Sequence, residues 1–181
     1  MNKHLLRASA VASAAVVFSG IISVSQSAGA AQTCSAADAN ARIQSMPGGI
    51  PEAQLYVPTC VEALPGNKVR GKATVNWGFI NDGEIDNSKR FASFKVTTRL
   101  ESRVPGGTDV VVNSKTCDLT ADINATNNGA FTCLSPEATL DPSKRWSGDA
   151  TVVYDIEGDK KGAITWQLVG SPLMGQGVSG K

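Results

Sequence analysis

The sequence predicts an all-β fold: an antiparallel β-sandwich preceded by a short N-terminal helix. Three observations carry that prediction. Several stretches alternate apolar and polar residues with the period of two that a half-buried strand requires. Segments rich in Gly, Pro, Asn and Asp separate them at intervals of roughly ten residues, which is hairpin punctuation. Four cysteines, all beyond residue 30, suit a small disulfide-stapled domain.

Residues 1–30 read as a bacterial signal peptide. Lys3, His4 and Arg7 give a positive start, Ala8 to Val24 an apolar core, and Ala28-Gly29-Ala30 the small residues a signal peptidase reads. Ser9, Ser13, Ser19, Gly20 and Ser23 interrupt the apolar core and weaken it as a lasting membrane span. Cleavage after Ala30 leaves 181 − 30 = 151 residues, the size of one domain. The mature chain divides into residues 31–66 (helix, loop and edge strand packed on the domain), 67–170 (the sandwich) and 171–181 (a flexible tail).

Cleavage removes Lys3 and Arg7, so 15 basic residues face 16 acids and the net charge becomes −1. That balance predicts neither nucleic acid nor, once the signal is gone, a membrane as partner. Cleavage also removes His4, the only histidine. Ser-His-Asp and Cys-His catalysis both need an imidazole, and histidine metal sites go with it.

The disulfides expected are Cys34 with Cys60 and Cys117 with Cys133, because each closes a short loop. A zinc site of four thiolates is disfavoured by their spacing, since such ligands come in close pairs. Ala31-Gln32-Thr33 before Cys34 departs from a lipobox.

In chain order, Ser35-Ala36-Ala37-Asp38 reads as a capping box for a helix through about Ser45, ended by Met46-Pro47-Gly48-Gly49-Ile50-Pro51. Gln54 to Ala63 reads as an edge strand, because Pro58 has no N–H for a ladder. After the turn Leu64-Pro65-Gly66-Asn67, Val69, Ala73, Val75, Trp77 and Phe79 share one face of a strand. Arg70, Lys72, Thr74 and Asn76 share the other. Phe94, Val96, Thr98 and Leu100 repeat the pattern against Lys95, Thr97, Arg99 and Glu101. Val110-Val111-Val112, apolar on both faces, reads as a central strand. Thr116 to Leu134 reads as a hairpin turned at Asn128-Gly129 and stapled by Cys117–Cys133. A second hairpin sets Val152, Tyr154 and Ile156 against Ile164, Trp166 and Leu168.

Seven or eight such strands look immunoglobulin-like in architecture. The Cys-Trp-Cys arrangement of antibody domains is missing, because Trp77, Trp146 and Trp166 all lie outside the Cys117–Cys133 interval. A small β-barrel is the alternative.

Chemistry has few candidates. Asn81 to Asn87 and Asp155 to Asp159 are acidic enough to suggest calcium, but neither has the spacing of a calcium loop, and the same residues build turns. No metal and no cofactor is expected. Asn124-Ala125-Thr126 matches a glycan acceptor pattern. Lys144-Arg145-Trp146 is the leading contact patch, since Trp and Arg anchor interfaces and an indole stacks on sugar rings. The bland reading has Trp146 closing one end of the core. Arg70, Lys72, Lys95 and Arg99 would form one cationic face if their strands pair.

The function expected is a secreted, non-catalytic binding module for an extracellular glycan, envelope polymer or protein. One alternative is a structural surface or matrix protein that self-associates through strand edges. Another is a histidine-free hydrolase using two carboxylates.

Overall fold

The computed structural model describes residues 31–80 and 89–174. The predicted signal peptide, the acidic stretch Asn81 to Asn87 and tail residues 175–181 lie outside them. Within them the chain is mostly strand and the sheets are antiparallel. The strands are β1 (Gln32–Cys34), β2 (Ala41–Gln44), β3 (Ala53–Tyr56), β4 (Thr59–Leu64), β5 (Lys68–Phe79), β6 (Phe91–Arg103), β7 (Val110–Asp118), β8 (Asn128–Leu134), β9 (Ala138–Thr139), β10 (Arg145–Ile156) and β11 (Ile164–Gln167). A single-turn helix, α1 (Thr120–Ala125), lies between β7 and β8.

One sheet is built on β5. On one side β5 pairs β4 along its first half and β3 along its second; on the other it pairs β9 and β8. The register is continuous, with Ala53 facing Phe79, Thr59 facing Ala73 and Leu64 facing Lys68. β3 and β4 are therefore one hairpin arm interrupted at Val57-Pro58. β2 and β1 pair the far side of that arm. The second sheet has the order β11-β10-β6-β7. The architecture includes one curled half-barrel.

Strand alternation dictates the core. Val69, Ala73, Val75 and Trp77 of β5 point inward, as do Phe94, Val96 and Leu100 of β6 and Val152, Tyr154 and Ile156 of β10. Most join one cluster drawn from both sheets, with Phe94 stacked on Tyr154 at 5.5 Å. A smaller cluster at the other end holds Val61, Val69, Leu100, Trp146 and Met174.

At two points the sheets approach backbone to backbone, and only glycine fits. A Cβ on Gly71 would stand 2.4 Å from the Arg99 carbonyl oxygen, and one on Gly148 would stand 2.0 Å from that of Cys60. Each glycine is clasped by a Ser-Pro pair. Gly71 N–H donates to Ser135 Oγ at 2.8 Å and Ser135 N–H donates to Gly71 O at 2.9 Å. Gly148 N–H donates to Ser171 Oγ at 2.9 Å and Ser171 N–H donates to Gly148 O at 2.8 Å.

Several expectations are corrected. No helix forms over Ser35 to Ser45; a turn leads into strand β2. Ser35 Oγ, read as a helix cap, accepts from Thr59 N–H, and the Asn40 amide is exchanged with the Val169 backbone at 2.9 and 2.7 Å. Long-range bonds have captured the polar groups a helix start would use. The arm bearing Pro58 is not an edge. Pro58 sits in the gap between β3 and β4, facing Thr74 of β5: its carbonyl accepts from Thr74 N–H at 3.1 Å, and the Thr74 carbonyl that its missing N–H leaves open accepts from Asn76 Nδ2 at 3.2 Å instead.

Thr116 to Leu134 is not a hairpin. β7 and β8 belong to different sheets, α1 carries the chain across, and Cys117–Cys133 ties one sheet to the other. Gly129 lies within β8, where its missing side chain admits the Trp77 ring: a Cβ there would stand 2.4 Å from Cζ2. Val110 to Val112 is an edge strand, exposed where a buried centre was expected. Of the tail, Ser171 to Met174 fall among the described residues, and Met174 N–H donates to Trp146 O at 2.8 Å.

Candidate functional site

The concavity that stands out lies on the outer face of the half built from β2, β3 and β5. It encloses about 560 Å³. Strand alternation sends Ala41, Ile43, Gln54, Tyr56, Asn76 and Gly78 outward there, while Leu55 and Trp77 turn into the core. In register, Ala41 faces Tyr56, which faces Asn76; Ile43 faces Gln54, which faces Gly78. Small residues at Ala41 and Gly78 leave the depression; a Cβ on Gly78 would meet nothing within 4 Å.

Its chemistry is neutral. No carboxylate lines it. Its one charged residue, Arg42, turns inward, donating from Nη1 to Tyr154 Oη at 2.9 Å and lying 4.6 Å over the Trp166 ring. Asn76 Nδ2 donates to the Tyr56 and Thr74 carbonyls at 3.1 and 3.2 Å, which holds the amide in place. Among the described residues no hydrogen bond engages the Gln54 amide or the Tyr56 hydroxyl. The groove thus offers a half-buried phenol ring, an exposed Ile43 and uncommitted amide and hydroxyl groups.

The residues singled out from the sequence fall elsewhere. Trp146 is 4% exposed, packed in the smaller cluster, with Nε1 donating to Asp141 O at 3.2 Å. It presents no face for stacking. Lys144 lies 3.9 Å from Asp141, and Arg145 is exposed at the start of β10. Ser143 donates from its hydroxyl and backbone N–H to Asp141, holding that carboxyl below its usual range.

The disulfides are Cys34–Cys60 and Cys117–Cys133. The four cations do not share a face, because β5 and β6 lie in different sheets. Arg70 and Lys72 both close on Glu62 at 2.9 Å. Burial pushes the Glu62 carboxyl up, but the hydrogen bonds from Lys72 and Arg70 outweigh it, leaving the group below its ordinary range. Lys95 lies 3.8 Å from Asp118, while Arg99 reaches Asp149 at 2.6 Å and Glu101 at 3.6 Å. Burial and then Asp149 hold the Glu101 carboxyl above its ordinary range, with Arg99 opposing.

The acidic turn after β10 is a turn. Asp159 Oδ1 accepts from Lys161 N–H at 2.8 Å, and Glu157 pairs with Lys89 at 2.8 Å. Asn124 is a staple: its oxygen accepts from Arg90 and Phe91 N–H, and its nitrogen donates to the Phe91 and Thr120 carbonyls. That leaves no amide hydrogen over for a glycan.

The groove is hidden in the sequence because two of its three strands lie in the segment that reads as helix and edge. Asn76, on the outer face of β5, was its one legible member. No family model matches the chain, and no curated protein matches it.

Proposed function

We propose that the protein is a secreted, non-catalytic binding module that holds a neutral sugar chain in the groove over β2, β3 and β5. The observation that carries the reading is the lining: a half-buried tyrosine beside the uncommitted Gln54 amide and the anchored Asn76 amide, with no carboxylate and the sole cation turned inward. An aromatic face packs on the apolar face of a sugar ring, and neutral amides match its hydroxyls without the desolvation cost of a buried charge. The two sheets are read as layers of a sandwich with immunoglobulin-like architecture, a rigid platform for such a surface. Two disulfides fit an oxidising, extracellular setting. Against hydrolysis, the acidic pair Glu101 and Asp149 is bridged by Arg99 and stands outside the groove.

The test is retention of the purified protein on insoluble neutral polysaccharides, with acidic and basic polymers in parallel. Retention is expected on a neutral polymer, with Tyr56→Ala weakening it by about tenfold or more, as expected for an aromatic anchor worth about 1.4 kcal/mol. Retention on charged polymers only, or full retention by Tyr56→Ala, overturns the assignment.

A further inference from the structure

The outer strand of the four-stranded sheet has no counterpart to the groove's neutrality, and its exposure has a different meaning. β7 is nine residues long and pairs only β6 among the described residues. Val110, Val111 and Val112 are 62%, 49% and 39% exposed, and Val104 just before the strand is 54% exposed. An extended backbone with one unpaired edge and apolar side chains on both faces is a template for another strand. The opposite edge of the same sheet, β11, is only four residues long.

We propose that β7 is a self-association edge, pairing antiparallel with β7 of a second copy of this chain. Charge placement selects that occupant. Lys115 is the only cation in the strand, and Asp109 and Asp118 flank it. A two-fold axis near Val112 sets Val112 against Val112 of the second copy, with Val110 and Val111 opposite its Ser114 and Asn113. It also brings Lys115 of each alongside Asp109 of the other, so the contact is made twice. Within its own chain Asp109 already lies 3.6 Å from Arg103, so a second copy adds a cation to it, whereas an arbitrary apolar strand would leave Lys115 without a match. A second copy also arrives already extended, held by β6, whereas a disordered peptide must be ordered as it binds.

Two features that usually blunt an edge are present, the lysine itself and the register shift between Leu100 and Glu101. Pairing about the two-fold uses up the β7 edge, so the assembly closes as a dimer. None of the residues involved lines the groove, so sugar retention and self-association succeed or fail independently.

The experiment is sedimentation analysis of the purified chain, disulfides intact, from about 1 μM to 1 mM, with unfolding followed in parallel. Concentration-dependent dimerisation is expected. Val111→Lys, an exposed substitution that leaves the core alone, should weaken it by about tenfold or more without lowering the unfolding temperature. Asp109→Lys and Lys115→Asp should each weaken it, and the two together should restore it. A chain that stays monomeric throughout, a dimer indifferent to Val111→Lys, or charge exchange without restoration overturns the proposal.

Discussion

Replacing Gly148 with alanine tests the sheet crossing directly. Gly148 sits in β10 opposite Leu100 of β6, and an added Cβ would meet the Cys60 carbonyl oxygen at 2.0 Å, its carbon at 2.5 Å and Val61 N at 3.1 Å. Every obstacle is backbone, so no side chain can swing away. Reaching the 3.0 Å that real Cβ contacts keep requires 3.0 − 2.0 = 1.0 Å of separation. Cys60 cannot give way alone: β4 lies between β1 and β5, and Cys60 is bonded to Cys34. Overpacking costs about 1–3 kcal/mol where side chains can adjust. With backbone on both sides, the top of that range, about 3 kcal/mol, is expected. For a chain of this length that lowers the unfolding midpoint by about 6–12 °C. Calorimetry of the oxidised protein measures it, with Gly78→Ala as the control. Gly78 is also in a β-strand but has nothing within 4 Å of its Cβ position, so alanine there should hold or raise stability. A Gly148→Ala midpoint within 2 °C of the parent would refute the close crossing.

Other expectations concern charge, cross-links and core. Glu62 has a lowered carboxyl, so its contribution is present above its ordinary, unfolded value of about 4.5 and disappears as pH falls through the folded one. Glu62→Gln should therefore cost about 1–3 kcal/mol at pH 7 and progressively less as pH falls below the unfolded value, read by urea unfolding. Glu101 is raised, so its ionisation opposes folding above that range; Glu101→Gln should match or exceed the parent at pH 7, and a loss as large as that of Glu62→Gln would contradict this reading. Removing Cys117–Cys133 by double alanine substitution should cost about 3 kcal/mol on loop length, read by the same unfolding curves. Trp146→Ala should cost about 3–5 kcal/mol as a core deletion, while Trp146→Phe keeps polymer retention; selective loss of retention in the phenylalanine variant would return Trp146 to the binding surface.

The fold was legible where one face of a strand is buried and the other wet. β5, β6, β10 and β11 announce themselves by alternation, because each sheet has a single interior. Val110 to Val112 deceived because exposure on both faces and burial on both faces carry the same composition; only the neighbours decide. The Asn-Gly pair in β8 deceived because glycine answers two needs, a positive φ angle and room for a neighbour, and Gly129 meets the second by admitting Trp77. Loop length suggested the cysteine partners, but could not reveal that Cys117 and Cys133 stand in different sheets. The groove is written across residues 41–78, one outward side chain at a time, and leaves no local signature. Trp146 drew attention for its chemistry, yet its surroundings come from three separate stretches: the β4–β5 hairpin with Val61 and Val69, Leu100 of β6, and Met174.

The paired Ser-Pro clasps decide where this protein tolerates cutting and tagging. Ser135 lies deep in the chain, but Ser171 stands past the last strand, in a stretch that composition alone marks as dispensable. Trimming back to Gly170 would strip Gly148 of both its hydrogen bonds to Ser171 and take Met174 from beside Trp146. A fusion joined after Met174 leaves that fastening whole, whereas one joined four residues earlier opens the sheet crossing from its C-terminal side.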